Sequence, residues 1–270
     1  MAGVTWEANL QVQTSYFICA TPRTGTNLLC EALTNTGVAG RPMEIFDQNT
    51  EAYCWKAWDV STYSEYLTRA IKECTTPNGA FGTKIMWAPS FNYFLDRLRQ
   101  VKGNKILARP ELVSSVFPNV RYIWVTRRDK VRQAVSHLRA MQTGVWKVEK
   151  GEKPAPVRQP YFDAQVIDYL ITANLMSEAA WQDYFAECGV IPFTVVYEDL
   201  PTTLKETTSK ILQYLGIPAP ERLLLAEPRV ERQADALSEE WRQRYYQFKG
   251  ELFAKQSPPP TELPAILRQA

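Results

Sequence analysis

The segment YFICATPRTGTNLL, from Tyr16 to Leu29, carries the clearest fold signal in the chain. Tyr16 to Ala20 is a short apolar run, which is typical of a buried strand. The turn-like segment TPRTGTN, Thr21 to Asn27, follows it directly, and apolar residues then recur at helical spacing. The pattern therefore predicts a strand, a loop and a helix in immediate succession.

Three further segments predict strands and three predict helices. The strands are AFGTKIMW (Ala80 to Trp87), RYIWVT (Arg121 to Thr126) and IPFTVVY (Ile191 to Tyr197). The helical patterns run from Val131 to Leu138, from Tyr161 to Cys188 and from Leu204 to Leu215. Strands that alternate with helices predict an α/β fold with a parallel central sheet and helices on both faces. Ligands in such folds bind at the carboxyl ends of the strands.

Composition limits the classes of protein that this chain can be. With 45% hydrophobic and 22% charged residues over 270 positions, we expect a single domain over 1–256 and an extended tail over 257–270. No apolar run approaches the roughly 18 residues of a membrane span. The N-terminus lacks a basic segment typical of a signal peptide, which favours a cytoplasmic location.

Cysteine spacing and net charge exclude further classes. The five cysteines are scattered and never form a C-x-x-C pair, so neither a disulfide framework nor a zinc site is expected. No cluster of histidine, cysteine and carboxylate residues has ligand spacing, so we predict no metal. A net charge of +2 provides no overall field that would attract nucleic acid. Any anion site must therefore be local.

The TPRTGTN loop has the features of such a site. It opens a helix, so backbone N–H groups and the positive end of the helix dipole can meet an anion. Gly25 permits close approach and Arg23 supplies a fixed charge, while side-chain donors come from Thr24, Thr26 and Asn27. The G-x-x-x-x-G-K-[ST] pattern is absent, which weakens a kinase interpretation. The alternative is a turn that only caps the helix, with Arg23 solvated.

A second basic segment, TRRDKVRQAVSHLRAMQTGVW, follows the third strand. Arg128 at its start and Ser136 on the helix are eight residues apart. Both can reach one phosphate if that group lies across the helix.

At this point the sequence resembles the sulfotransferases that use 3'-phosphoadenylyl sulfate (PAPS), and more narrowly the trehalose 2-sulfotransferase family. Five stretches match in order over most of the chain: YFICATPRTGTNLL, TGVAGRPMEIF (Thr36 to Phe46), GTKIMW (Gly82 to Trp87), RRDKVRQAVSHLRAMQT and VERQADALSEEW (Val230 to Trp241). The resemblance implies a P-loop-like sulfotransferase fold, PAPS as the sulfuryl donor, PAP as the product, and a homodimer.

The resemblance also assigns the nucleotide contacts. It implies that the 5'-phosphosulfate is held by Arg23, Thr24, Gly25, Thr26 and Asn27, and the 3'-phosphate by Arg128 and Ser136. Arg127 is a further candidate, although one of two adjacent arginines more often faces solvent or a carboxylate. A late loop that closes over the nucleotide would carry Arg232 and Gln233; the alternative is an ordinary surface loop.

Catalysis of sulfuryl transfer needs a base and a group that stabilises the leaving oxygen. In the resembled family, the glutamate of a G-x-P-x-E pattern activates the acceptor hydroxyl, and Gly40, Pro42 and Glu44 fit that pattern. Arg23 would neutralise the leaving phosphate, and Lys84 would touch the sulfuryl oxygens or the acceptor. The only histidine, His137, is expected to be an ordinary helix-surface or packing residue.

The acceptor is expected to be a small molecule with a hydroxyl group, of carbohydrate or glycolipid-like chemistry. Four tryptophans near predicted loops offer sugar-stacking surfaces: Trp55, Trp58, Trp87 and Trp146. Arg41 departs from an acidic residue of the trehalose enzymes, which disfavours trehalose itself. The charged, proline-rich run 148–160 is expected to be a surface loop or a lid.

Two other functional classes remain open on sequence alone. One is a nucleotide-dependent kinase or other phosphotransferase, which ATP binding and Mg²⁺ dependence would favour. The other is a non-catalytic nucleotide-binding protein, for which substitution of Glu44 would leave function intact.

Overall fold

A single parallel sheet of four strands organises the molecule. The structure is a computed structural model that describes residues 12–103, 106–152, 154–220, 229 and 235–255. The strands are β1 (Thr14–Ala20), β2 (Ala80–Met86), β3 (Val120–Thr126) and β4 (Phe193–Val196), in the spatial order β2-β1-β3-β4. All three pairings are parallel, which confirms the predicted α/β fold.

The described helices follow the strands with crossovers, as parallel pairing requires. They are α1 (Thr26–Asn35), α2 (Gln48–Ala57), α3 (Tyr63–Cys74), α4 (Asn92–Val101), α5 (Arg109–Ser114), α6 (Lys130–Thr143), α7 (Ala164–Glu187), α8 (Leu200–Leu215) and α9 (Ala236–Lys255). A short π-helical turn, Trp87–Phe91, precedes α4.

Most predicted boundaries shift by one or more residues, and two of these shifts have clear local reasons. The second strand ends at Met86 rather than Trp87, because Trp87 already begins the π-helical turn. Helix α8 begins at Leu200, one turn before the predicted Leu204. Pro201 lies in its first turn, where backbone N–H groups have no partner within the helix, so the missing N–H of proline costs no hydrogen bond.

The sheet is buried on both faces, which explains why its strands are nearly continuous apolar runs. Phe17 and Cys19 face a cluster built from α3, α4 and α7, whereas Tyr16 and Ile18 face α1 and α8. Alternate residues of a strand point to opposite faces, so one strand contributes to both clusters. The five cysteines are free, and four of them are buried.

The register of the sheet brings three strand ends to one edge. Ala20 at the end of β1 pairs with Met86 of β2 and with Val125 of β3. The loop that contains Arg23 and the segment that begins with Arg127 therefore leave the sheet side by side.

The GRPME segment lies along the outer side of β2. Met43 forms a parallel bridge with Thr83, and its carbonyl oxygen accepts hydrogen bonds from the backbone of Lys84 at 2.9 Å and the Thr83 hydroxyl at 3.0 Å. Gly40 has a φ of 72°, and a Cβ there would lie 2.8 Å from the carbonyl oxygen of Cys74. Only glycine fits this approach, which places Glu44 beside β2.

We expect Gly40→Ala to lower the free energy of unfolding by roughly 2–5 kcal/mol, since left-handed backbone costs about 1–2 and overpacking about 1–3. Gly37→Ala is the matched control, because Gly37 has a φ of 70° but open space around it. That control should lose only about 1–2 kcal/mol. Urea denaturation of both variants measures the difference, and equal losses would contradict the packing argument.

Several predictions concern features outside these elements. The described part of 148–160 contains no helix, and its role as a lid stays a prediction. The domain limits, the homodimer and the cytoplasmic location stay predictions too, and the tail 257–270 lies outside the described residues. Within the described ranges, no helix is long and apolar enough to cross a membrane.

Candidate active site

The loop between β1 and α1 adopts a left-handed conformation at two positions. Arg23 has a φ of 66° and Gly25, the N-cap of α1, a φ of 77°. A Cβ at Gly25 would lie 2.2 Å from Cδ2 of Tyr197, so the aromatic ring itself requires glycine there. The Thr24 hydroxyl donates to the carbonyl oxygen of Thr21 at 2.9 Å. The backbone N–H groups of the helix start, rather than this hydroxyl, are therefore placed to meet an anion.

Arg23 joins the two predicted anion sites. Its Nε donates to the Ser136 hydroxyl at 2.9 Å, across the interface between the loop and α6. Its Nη1 donates to the carbonyl oxygen of Trp146. Burial and the nearby Arg127 lower the pKa of Arg23 to about 10, so it remains a cation at neutral pH. Two residues that are 113 positions apart thus form one basic, hydroxyl-bearing surface.

The adjacent arginines after β3 point in different directions. Arg127 is 8% exposed, and its guanidinium lies 4.5 Å from the centre of the Tyr197 ring. Burial lowers the pKa of Arg127. Arg128 faces outward and forms two hydrogen bonds with Asp199, at 2.8 and 2.6 Å. The residue predicted to hold the 3'-phosphate is therefore the one that pairs with a carboxylate here.

Two residues that the sequence analysis missed hold these segments. Gln133 is fully buried, and its Nε2 donates to the Thr21 hydroxyl and to the carbonyl oxygen of Pro22, both at 2.8 Å. It lies three residues before Ser136 on α6, a spacing that shares one helix face and was a usable signal. Glu198 accepts from the backbone N–H groups of Arg128 and Asp129 at 3.0 Å each.

The electrostatics of Glu198 follow from these bonds. Burial alone would raise its pKa, but the backbone donors and the Arg127 charge outweigh burial, and the pKa lies below its usual value. Glu198 is therefore ionised at neutral pH, and no local sequence pattern marked it.

Three predicted residues meet on the other side of the loop. The Lys84 ammonium lies 2.8 Å from a carboxylate oxygen of Glu44 and donates to the Asn27 side-chain oxygen at 2.9 Å. The Lys84 side chain is 10% exposed and that of Glu44 is 30% exposed. The buried Lys84 ammonium thus connects the solvent-accessible Glu44 carboxylate to the loop Thr21 to Asn27, which is called the anion loop below because it is predicted to bind an anion.

Some predicted features fall elsewhere. Arg232 and Gln233 lie outside the described residues. Trp55, Trp58 and Trp87 pack against the core, whereas Trp146 is 49% exposed. In the described part of the chain, no three His, Cys, Asp or Glu side chains are grouped so that they could hold a metal ion.

Residues 15–247 match the family described as Stf0 sulphotransferase. The chain belongs to the Stf0 sulphotransferase family. It is similar to the trehalose 2-sulfotransferase of Mycolicibacterium smegmatis, with 32% identity over 86% of this chain and 94% of that protein. It is also similar to the trehalose 2-sulfotransferase of Mycobacterium tuberculosis, with 30% identity over 85% and 93% of the two chains. The resemblance found in the sequence is confirmed, and the protein is an enzyme of the sulfotransferase class.

A solved structure was also matched, the sulfotransferase domain from the curacin biosynthetic pathway. It has 16% identity and a TM-score of 0.43, and covers 92% of this chain and 93% of that one.

In this Stf0 sulphotransferase, His137 is partly buried on α6. The His137 ring contacts Trp146 edge-on at 5.8 Å between centroids. Burial and the positive charge of Arg23 lower its pKa to about 4.

The pKa of His137 predicts a pH dependence of stability. Since the native pKa of about 4 lies below the ordinary 6.5, the unfolded chain binds the proton more readily, and stability should fall as the pH drops from 6.5 to 4. Proton NMR of the imidazole in the untagged native protein should give a midpoint near 4, and in urea near 6.5. A native midpoint near neutrality would contradict the burial argument.

Proposed function

We propose that this enzyme transfers the sulfuryl group of PAPS to a hydroxyl of a carbohydrate or glycolipid-like acceptor, with Glu44 as the general base. The contact between Arg23 and Ser136 carries the proposal, because it joins the two segments that were predicted to bind opposite ends of one nucleotide. The membership of the Stf0 sulphotransferase family supports the reaction class.

The donor contacts extend from that contact. The loop residues Arg23, Thr24, Gly25, Thr26 and Asn27 hold the 5'-phosphosulfate, mainly through backbone N–H groups and the Arg23 charge. Ser136 and Arg128 hold the 3'-phosphate, for which Arg128 exchanges Asp199 for the ligand. Arg232 and Gln233, on the loop late in the chain, cover the bound nucleotide. The 3'-phosphate and the 5'-phosphosulfate of PAPS are attached to the same ribose, which suits two sites that share a contact.

The chemistry follows from the order of the contacts. Glu44 removes the proton of the acceptor hydroxyl, the hydroxyl oxygen forms a bond to sulfur, and the bond from sulfur to the phosphate oxygen breaks. PAP leaves with the electron pair, and Arg23 neutralises the charge that develops on its phosphate. Lys84 lies between Glu44 and Asn27, where it can pair with the sulfuryl oxygens during transfer. Arg23 and Lys84 supply the positive charge, so the proposal includes no metal.

Two observations support the acceptor class: the names of the curated relatives and the solvent exposure of the Glu44 side chain. Both curated relatives are named trehalose 2-sulfotransferases, and the chain spans nearly their full length. The Glu44 side chain is partly open to solvent, as a base that meets an acceptor requires. Arg41 is exposed three residues earlier, at the position where the resemblance to the trehalose enzymes implies an acidic residue. The proposal therefore names a carbohydrate hydroxyl and not trehalose itself.

The role of Glu44 predicts a separation of binding from turnover. Glu44→Gln should bind PAP as the native enzyme does, whereas kcat should fall about 10²- to 10⁴-fold, the range of general-base contributions. Glu73→Gln is the control, because Glu73 pairs with Arg69 on the surface of α3. Calorimetry with PAP and assays with radiolabelled PAPS measure both. A variant with native turnover would exclude Glu44 as the base.

The donor predicts an order of thermal stabilisation. Ligands that bind only the native state raise its melting temperature by mass action, so 3',5'-ADP should stabilise the enzyme more than ADP or ATP. The measurement is thermal unfolding at matched ligand concentrations, with and without Mg²⁺. A preference for ATP would favour a phosphotransferase instead.

A further inference from the structure

Arg23, the central residue of the anion loop, has a backbone conformation that needs support. Its φ of 66° lies in the left-handed region. For a residue with a Cβ, this region costs about 1–2 kcal/mol relative to right-handed backbone. Such a conformation persists only where neighbouring groups hold it.

Arg127 supports the Arg23 backbone through a hydrogen bond. Its Nη1 donates to the carbonyl oxygen of Arg23 at 3.2 Å, and the side chain is almost fully buried. The hydrogen bond joins the segment after β3 to the loop after β1. A charged donor strengthens such a bond relative to a neutral one.

Tyr197 fixes the position of Arg127. The guanidinium lies over the Tyr197 ring at 4.5 Å, within the range of a cation–π contact. The same ring touches Gly25, and the Tyr197 backbone N–H donates to the carbonyl oxygen of Thr126 at 2.9 Å. The ring therefore contacts both the arginine and the loop that the arginine holds.

We propose that Arg127 is a positioning residue: held by Tyr197, it keeps the Arg23 carbonyl in place, so that the loop meets the 5'-phosphosulfate, and it does not itself bind the nucleotide. This inference rests on the proposed function. It assigns different roles to two adjacent arginines, since Arg128 is exposed and faces Asp199. The loop that Arg127 positions meets only the 5'-phosphosulfate end of the donor. Ligands that lack either the 5'-phosphate or the 3'-phosphate can therefore test this role.

The test is calorimetric binding of 3',5'-ADP, 5'-AMP and 3'-AMP to the full-length enzyme. The variants are Arg127→Lys, which keeps the charge but loses the planar stack, and Tyr197→Leu, which removes the ring. Arg121→Lys is the matched control, because Arg121 stacks on Tyr214 at 5.5 Å near the opposite end of β3. Tyr197→Phe keeps the ring and serves as the conservative rescue.

We expect Arg127→Lys and Tyr197→Leu to weaken the binding of 3',5'-ADP and of 5'-AMP by the same factor. That factor is about tenfold, the scale of one charge-assisted hydrogen bond. Binding of 3'-AMP should not change. Tyr197→Phe should recover most of the affinity lost in Tyr197→Leu, and Arg121→Lys should bind like the native enzyme. In turnover assays, KM for PAPS should rise while KM for the acceptor stays constant.

Other patterns would overturn the inference. A loss confined to the two ligands with a 3'-phosphate would make Arg127 a direct phosphate ligand. Equal losses of affinity for all three ligands would indicate general damage to the fold. Unchanged affinities would show that Arg127 does not position the loop. Each of these leaves the proposed function intact. If the native enzyme fails to bind 3',5'-ADP, the proposed function falls as well.

Discussion

The parallel pairing of β1 with both β2 and β3 is the constraint on which the site depends. Because these strands run in the same direction and in register, their carboxyl ends lie at one edge of the sheet. The loop after β1 can then contact residues of β2 on one side and α6 on the other. Arg23 meets Ser136, and Asn27 meets Lys84, for this reason.

The positive charges at this edge need compensation, since a buried cation is costly unless it is paired or hydrogen-bonded. Burial, and after it the charge of the nearby Arg127, lowers the pKa of Arg23. A hydroxyl, backbone carbonyl groups, an aromatic face and the nearby Glu198 carboxylate provide the compensation. An anionic ligand at the loop would reduce the remaining repulsion, which agrees with the proposed donor.

The ion pair between Glu44 and Lys84 joins segments that are distant in the sequence. The β-bridge between Met43 and Thr83 sets the position of the carboxylate, and the glycine at position 40 permits the close approach that the bridge needs. Lys84 then connects the Glu44 carboxylate to Asn27 of the loop after β1. The backbone along the edge of β2 therefore determines how far the Glu44 carboxylate lies from that loop.

Strand, turn and helix signals act over a few neighbouring residues, so they were enough to predict the parallel α/β fold and the loop after the first strand. The five matching stretches were enough to predict the family. The sequence also predicted a role for Glu44, through the resemblance, and one for Lys84, from its place at the end of the second strand, but not the distance between the two. Only the tertiary structure decided that Arg127 turns inward and Arg128 outward, and that Gln133, Tyr197 and Glu198 hold the loops. Adjacent side chains in an extended segment can point in opposite directions, and the packing of distant segments selects which one is buried.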